Sequence, residues 1–98
     1  MTNITLIGRL TKDVDIMKTR SGNTFGTVSI ACDTDKDEAS FFNLTLTEKQ
    51  AETLSKWSGK GKRLLVIGSI KQKDKYYNVY VEKFCIIDFN EKDEKGRY

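Results

Sequence analysis

The chain has 98 residues and a mass of 11.2 kDa, with 17 Lys and Arg against 14 Asp and Glu for a net charge of +3, and neither histidine nor proline. That length allows one small domain with a modest core and leaves no room for a large catalytic cleft, while the missing histidine removes the commonest general base, the usual Ser and Cys triads and most zinc sites. Leu, Ile, Val and Phe supply 25 of the 98 residues, above the ~20% floor below which chains tend to stay disordered, so the chain is expected to fold.

Ile4 to Leu10 alternates, with Ile4, Leu6 and Leu10 on one face and Thr5, Ile7 and Arg9 on the other, which predicts a first strand. Ser21-Gly22-Asn23 is a turn signal, and Thr24 to Cys32 follows as a second strand with Val28 and Ile30 inward. Asp33 to Glu38 reads as a polar loop. Phe41 to Leu46 then alternates cleanly, placing Phe42, Leu44 and Leu46 on the apolar face and Phe41, Asn43 and Thr45 opposite. Thr47 with Gln50 three positions on is a capping-box pattern opening one short helix, which Gly59 is expected to stop. Arg63 to Ile70 is almost continuously apolar, as in a strand buried on both faces. Lys71 to Lys75 is expected to be a hairpin loop, and Tyr76 to Phe89 a long final strand. Its apolar parity shifts after Val81, which a bulge near Glu82 or Lys83 would produce. Three strands, a helix and two strands is the element order of a five-stranded OB-fold barrel, all-β with its helix between strands three and four, although another small barrel gives the same string. The expected domain spans 1–89, and the polar stretch 90–98 reads as a frayed tail.

Few residues are arranged for catalysis or metal binding. The acidic run Asp33 to Glu38 begins like a calcium loop but has Glu38 where the turn needs glycine and Leu44 where a bidentate Glu is needed. Gly59-Lys60-Gly61-Lys62-Arg63 lacks the spacing and the strand-to-helix order of a phosphate loop. Cys32 and Cys85 lie 53 residues apart and read as buried, reduced thiols. No signal peptide or membrane span is apparent, so a soluble, cytoplasmic protein is expected.

Charge is nevertheless segregated. From Lys56 to Lys75 there are seven cations, Lys56, Lys60, Lys62, Arg63, Lys71, Lys73 and Lys75, against one acid, Asp74. A solubilising surface is the plain account of such a run. The run leads into Tyr76 and Tyr77, however, and the third strand sets Phe41 on its polar face. Rings beside cations on a wet face suit single-stranded nucleic acid, because unpaired bases stack on rings while Lys and Arg neutralise phosphates. Phe41 covering a loop at a sheet edge is the competing reading.

At these residues the sequence resembles the bacterial-type single-stranded-DNA-binding proteins, over about 85 residues from Asn3 to Phe89. The resemblance is carried by Asn3-Ile4-Thr5-Leu6-Ile7-Gly8-Arg9-Leu10-Thr11-Lys12-Asp13, then Ser29-Ile30-Ala31, Phe41-Phe42-Asn43, Lys49-Gln50-Ala51-Glu52, Lys60-Gly61 and Gly68-Ser69-Ile70, in family order and spacing. It implies an OB-fold that binds single-stranded DNA without strong sequence preference and protects it during replication, recombination or repair, with no catalysis and no cofactor. By position, Phe41 falls where the family stacks a base, and Lys49 and Lys60 fall along its DNA path. The full expected contact set is Arg9, Lys49, Lys60, Lys62, Lys71 and Lys73 on phosphates, with Phe41 and Tyr76 stacking bases. The resemblance also implies a homodimer or homotetramer assembled through the first strand, at Asn3, Thr5 and Ile7, with Phe42 near the subunit contact.

The sequence departs from the family at three aromatic positions and at its end. The aromatic at the end of strand three is Thr47, the one after strand two is Lys36, and the one in the last hairpin aligns with Lys75 beside Tyr76. Gly96-Arg97-Tyr98 is not the acidic, phenylalanine-terminated tip through which the family recruits replication proteins, an ending more like a phage or mobile-element member. Two readings stay open beside the first: an OB-fold module that binds protein, and an RNA-binding OB domain, which would use the same chemistry.

Overall fold

The structure, a computed structural model, describes residues 2–35 and 38–88. The tip of the acidic loop at Lys36 and Asp37, Phe89 and the expected tail lie outside the described residues. The elements are β1 (Asn3–Leu10), β2 (Asp15–Lys18), β3 (Thr24–Asp35), β4 (Glu38–Thr47), α1 (Glu48–Trp57), β5 (Arg63–Lys73) and β6 (Tyr76–Ile86). Strand order is β1-β5-β6-β4-β3-β2, and β1 also pairs β3 through Arg9↔Ala31 and Leu10↔Ile30. Five strands thus close into the expected OB-type barrel, and β2 is an addition that extends β3 outside the ring. The helix accordingly follows the fourth strand in chain order, not the third.

Closure depends on a missing side chain. A Cβ on Gly8 would meet the Ala31 carbonyl oxygen at 2.5 Å and Cys32 Sγ at 2.9 Å, so only glycine lets β1 lie against β3 here. The barrel interior holds Leu10, Ile30, Leu44, Leu64, Val66 and Val79, all fully buried, and each such side chain contributes roughly 1.5–3 kcal/mol relative to exposure. α1 plugs one end with Ala51 and Leu54. Its capping box forms as expected: Gln50 N–H donates to Thr47 Oγ1 at 3.2 Å, and Thr47 N–H donates to Gln50 Oε1 at 2.9 Å.

The bulge also lies where the parity shift placed it. Ile67 pairs Lys83 and Gly68 pairs Val81, leaving Glu82 as the extra residue. Gln50 Nε2 reaches across to donate to the Val81 and Glu82 carbonyls at 3.2 and 3.3 Å, tying the helix start to the bulge.

Four local expectations are corrected. Cys85 is exposed, because the bulge turns Phe84 and Ile86 inward and Cys85 outward; Cys32 is buried as expected, and burial, followed by the charge of Asp33, raises its thiol pKa. β5 alternates, with Leu64, Val66 and Gly68 buried while Leu65 and Ile67 are half-buried on the outer surface. Lys71 to Lys73 belongs to β5, and the hairpin turn is only Asp74 and Lys75, with Asp74 at φ 58°. The helix ends at Trp57 with extended Ser58 as its cap, and the positive φ of 82° belongs to Gly61, not Gly59.

Candidate nucleic-acid interface

The outer face of the barrel is assembled by register. In an antiparallel pair, residues directly opposite share a face, and Arg9 pairs Ala31, which pairs Phe41. β4 and β6 run parallel with Asn43↔Asn78, Leu44↔Val79 and Thr45↔Tyr80. One residue earlier, on the inner side, the Phe42 and Tyr77 rings touch with centroids 6.0 Å apart. Phe41 and Tyr76 precede these two residues, on the outer side of the starts of the same two neighbouring strands. Tyr76 in turn pairs Lys73. The result is one transverse row, Lys73, Tyr76, Phe41, Ala31, Arg9, drawn from all five barrel strands. Phe41 is 62% and Tyr76 57% exposed. Two rings lie open to solvent between two cations, with Ala31 small enough to leave the Phe41 ring uncovered.

The next step along the strands is polar. Thr27, Ser29, Asn43, Thr45 and Asn78 line a shallow groove of about 310 Å³, with Lys12 on its rim. Asn43 Nδ2 is 3.5 Å from Asn78 Oδ1, so both amides keep most of their hydrogen-bonding capacity. Lys12 is placed by its neighbour, since Thr11 N–H and Oγ1 donate to the Ser29 carbonyl at 3.1 and 3.2 Å and Thr11 Oγ1 also bonds Ser29 Oγ. Lys12 Nζ pairs Asp15 at 2.7 Å, which moderates both charges at the rim.

The expected contact residues separate into groups. Arg9, Phe41, Tyr76 and Lys73 meet in the transverse row, and Lys71, opposite Asn78, stands beside the groove. Lys60 and Lys62 lie in the turn before β5. This turn is held to β1 by Arg9 Nη1 donating to the Gly61 carbonyl at 3.1 Å and to the β1–β2 loop by Lys60 N–H donating to Asp13 Oδ1 at 2.9 Å. Lys49 is not brought to the rings: it lies in the first turn of α1, past the far end of β4. Asn3, Thr5 and Ile7 do share the exposed face of β1, but Phe42 is on the inner side of β4, half-buried against the core and Tyr77. Lys12, Asn43 and Asn78 are groove residues outside the expected contact set. Their convergence is set by pairings between distant segments, which no local pattern carries.

The lower edge of the barrel is latched by an ion pair. Arg63 Nε and Nη2 donate to Asp88 Oδ2 and Oδ1 at 2.9 and 3.0 Å, and Arg63 N–H also donates to Asp88 Oδ2 at 3.1 Å. These donors hold the Asp88 carboxyl down at about 2. Among the described residues no cluster of three or more His, Cys, Asp or Glu side chains is placed to hold a metal ion, and no helix is long and apolar enough to cross a membrane.

The chain is similar to known proteins in sequence and in fold. The chain is 37% identical over 78 residues to a single-stranded DNA-binding protein of Enterococcus faecalis, covering 74% of this chain and 42% of that protein. It is 35% identical over 78 residues to single-stranded DNA-binding protein 1 of Streptococcus pyogenes, covering 74% and 60%. The chain thus spans about half the length of these relatives. Its fold matches the mitochondrial single-stranded DNA-binding protein Rim1 of Saccharomyces cerevisiae with a TM-score of 0.80 at 16% identity, over 92% of this chain and 97% of that one. It also matches the second such protein, SSBb, of Mycobacterium smegmatis at 0.75 and 14%, over 88% of each. With the pattern of the single-strand binding protein family matched from residue 1 to residue 83, the chain belongs to that family.

Proposed function

We propose that the protein binds single-stranded DNA along the outer face of β3, β4 and β6, stacking bases on Phe41 and Tyr76 and neutralising phosphates with Arg9, Lys71 and Lys73. The observation that carries this reading is the transverse row: two exposed rings side by side on a polar surface, flanked by a cation at each end. A duplex hides the faces of its bases, so rings of this kind select unpaired strands, and every base offers a face, so the selection is tolerant of sequence. Lys60 and Lys62 extend the positive surface beyond Arg9. The site binds and shields without catalysis, in the bacterial cytoplasm where replication, recombination and repair expose single strands. RNA offers the same faces and phosphates, and competition with an RNA oligomer measures that preference directly.

Assembly follows from the edge of β1. Its pairing with β3 covers only Arg9 and Leu10, so from Asn3 to Gly8 the strand has a partner on one side alone among the described residues, and Ile7 is 56% exposed. Unpaired strand edges accept another strand, and a second copy of β1 is the proposed occupant, giving a homodimer or a larger symmetric assembly.

Titration of labelled oligo(dT) by fluorescence anisotropy tests the proposal. Removing one stacked base costs about 1–3 kcal/mol, so Phe41→Ala is expected to weaken binding by about tenfold. Unchanged affinity would remove the ring from the site.

A further inference from the structure

We infer that Phe25 is a second base-stacking position, at the opposite end of the same face from Phe41. This extends the proposed single-strand reading and rests on it. β3 pairs β4 without interruption from Phe25↔Thr47 through Thr27↔Thr45 and Ser29↔Asn43 to Ala31↔Phe41. Thr27, Ser29, Asn43 and Thr45 line the outer groove, and strand alternation therefore puts Phe25 and Thr47 on that outer face. The inner neighbour of Phe25 is Gly26, whose missing Cβ admits Ala51 of α1, so the ring of Phe25 cannot be serving the core from the inside.

Phe25 is half-buried, with Met17 directly opposite on β2. Met17 is itself 49% exposed, and Thr27 Oγ1 donates to its sulfur at 3.8 Å, which confirms that the thioether lies on the outer face. Met17 thus supports one side of the ring while Thr47, whose hydroxyl is turned to Gln50 N–H as the helix cap, leaves the other side low and open. An aromatic on the same outer face as the Thr, Ser and Asn side chains of the groove, one pair beyond Thr27 and Thr45, has no core to fill.

Charge is supplied at the same end. Lys49 follows Thr47 by two residues at the start of α1. Lys49, stranded from the Phe41 row, is thereby given a ring to work with. From Phe41 to Thr47 is six residues of strand, about 20 Å at ~3.4 Å per residue. A strand running from Tyr76 and Phe41 through the amide groove to Phe25 uses the whole face, with a stacking ring at each end.

The test compares oligo(dT) of about 4 and about 16 nucleotides, the limits of site size for one such barrel, on the full chain and its variants. Phe25→Leu is expected to weaken the longer oligomer about tenfold and to leave the shorter one, which is held at Phe41, nearly unchanged. Phe25→Trp is expected to retain binding and to lose fluorescence when the longer oligomer stacks on it, relative to the signal of Trp57 in the parent. Unchanged affinity in Phe25→Leu, equal weakening at both lengths, or an unquenched Phe25→Trp variant overturns the inference. If Phe41→Ala still weakens binding in that case, the single-strand reading stands without Phe25. If neither variant matters because the parent does not prefer single strands, both readings fall together.

Discussion

Phe41 owes the exposure of its ring to one small neighbour. Ala31 beside Phe41 leaves the ring standing clear of the sheet, and Ala31→Leu is expected to cover it, weakening oligo(dT) binding severalfold while leaving thermal stability almost unchanged. Comparing anisotropy with a melting curve on one sample separates the two. Asp88 gives a different kind of prediction. Its carboxyl is lowered from 3.8 to about 2 by the side-chain hydrogen bonds of Arg63 and then by the Arg63 N–H. A depressed carboxylate contributes stability above its unfolded value and loses it as pH falls through the folded one. The melting temperature of Asp88→Asn should therefore lie below that of the parent at neutral pH, and the gap should close between about pH 4 and pH 2. A gap that persists unchanged at pH 2 would show that the latch acts without the charge.

At the scale of elements, α1 is more than a plug. Gln50 accepts from Thr47 N–H and donates to two carbonyls at the β6 bulge, so one amide both starts the helix and fixes the strand irregularity. Loss of a cap typically costs about 1 kcal/mol, and Gln50→Ala should exceed that in a denaturant titration because the bulge carbonyls lose their donor as well. Gln50→Glu, which keeps the acceptor but not the donor, should fall between. Equal stabilities of Gln50→Glu and the parent would remove the bulge from the account. The sequence announced this helix, its cap and the bulge, because a capping box and a parity shift are local patterns. It did not announce β2: Asp15 to Lys18 is exposed throughout and has no alternation to read, so only its pairing with β3 makes it a strand. The exposure of Cys85 was implicit in the bulge, since a one-residue insertion exchanges the faces of every residue after it.

Across the whole molecule, the fold was legible because five alternating or apolar segments and one capped helix admit few closed arrangements. The binding face was legible only in its parts. Phe41 could be placed outward from alternation, and Tyr76 and the lysines from composition. That Lys73, Tyr76, Phe41 and Arg9 form one row depends on a succession of strand pairings, whose end members Arg9 and Tyr76 lie 67 positions apart in the chain, a span no local window contains. Lys49 shows the reverse, a cation placed by resemblance on the DNA path that the barrel carries to the other end of the face. The edge of β1 makes a further prediction at this scale: sedimentation should report an oligomer, and Ile7→Lys, which sets a charge on that strand, should shift it toward monomer. A parent that sediments as a monomer would contradict assembly through β1.

Joint action of rings and cations on unpaired bases is read out by a salt series of oligo(dT) anisotropy titrations with duplex DNA as competitor, for the parent and Phe41→Ala. Three phosphates neutralised by Arg9, Lys71 and Lys73 predict a slope of about −2 in log affinity against log salt, at about −0.7 per phosphate. The parent should resist duplex competitor, and Phe41→Ala should lower affinity about tenfold at every salt concentration without changing the slope. Binding that duplex displaces as readily as single strands do, with no loss in Phe41→Ala, would mean that charge alone holds the DNA and would contradict the account.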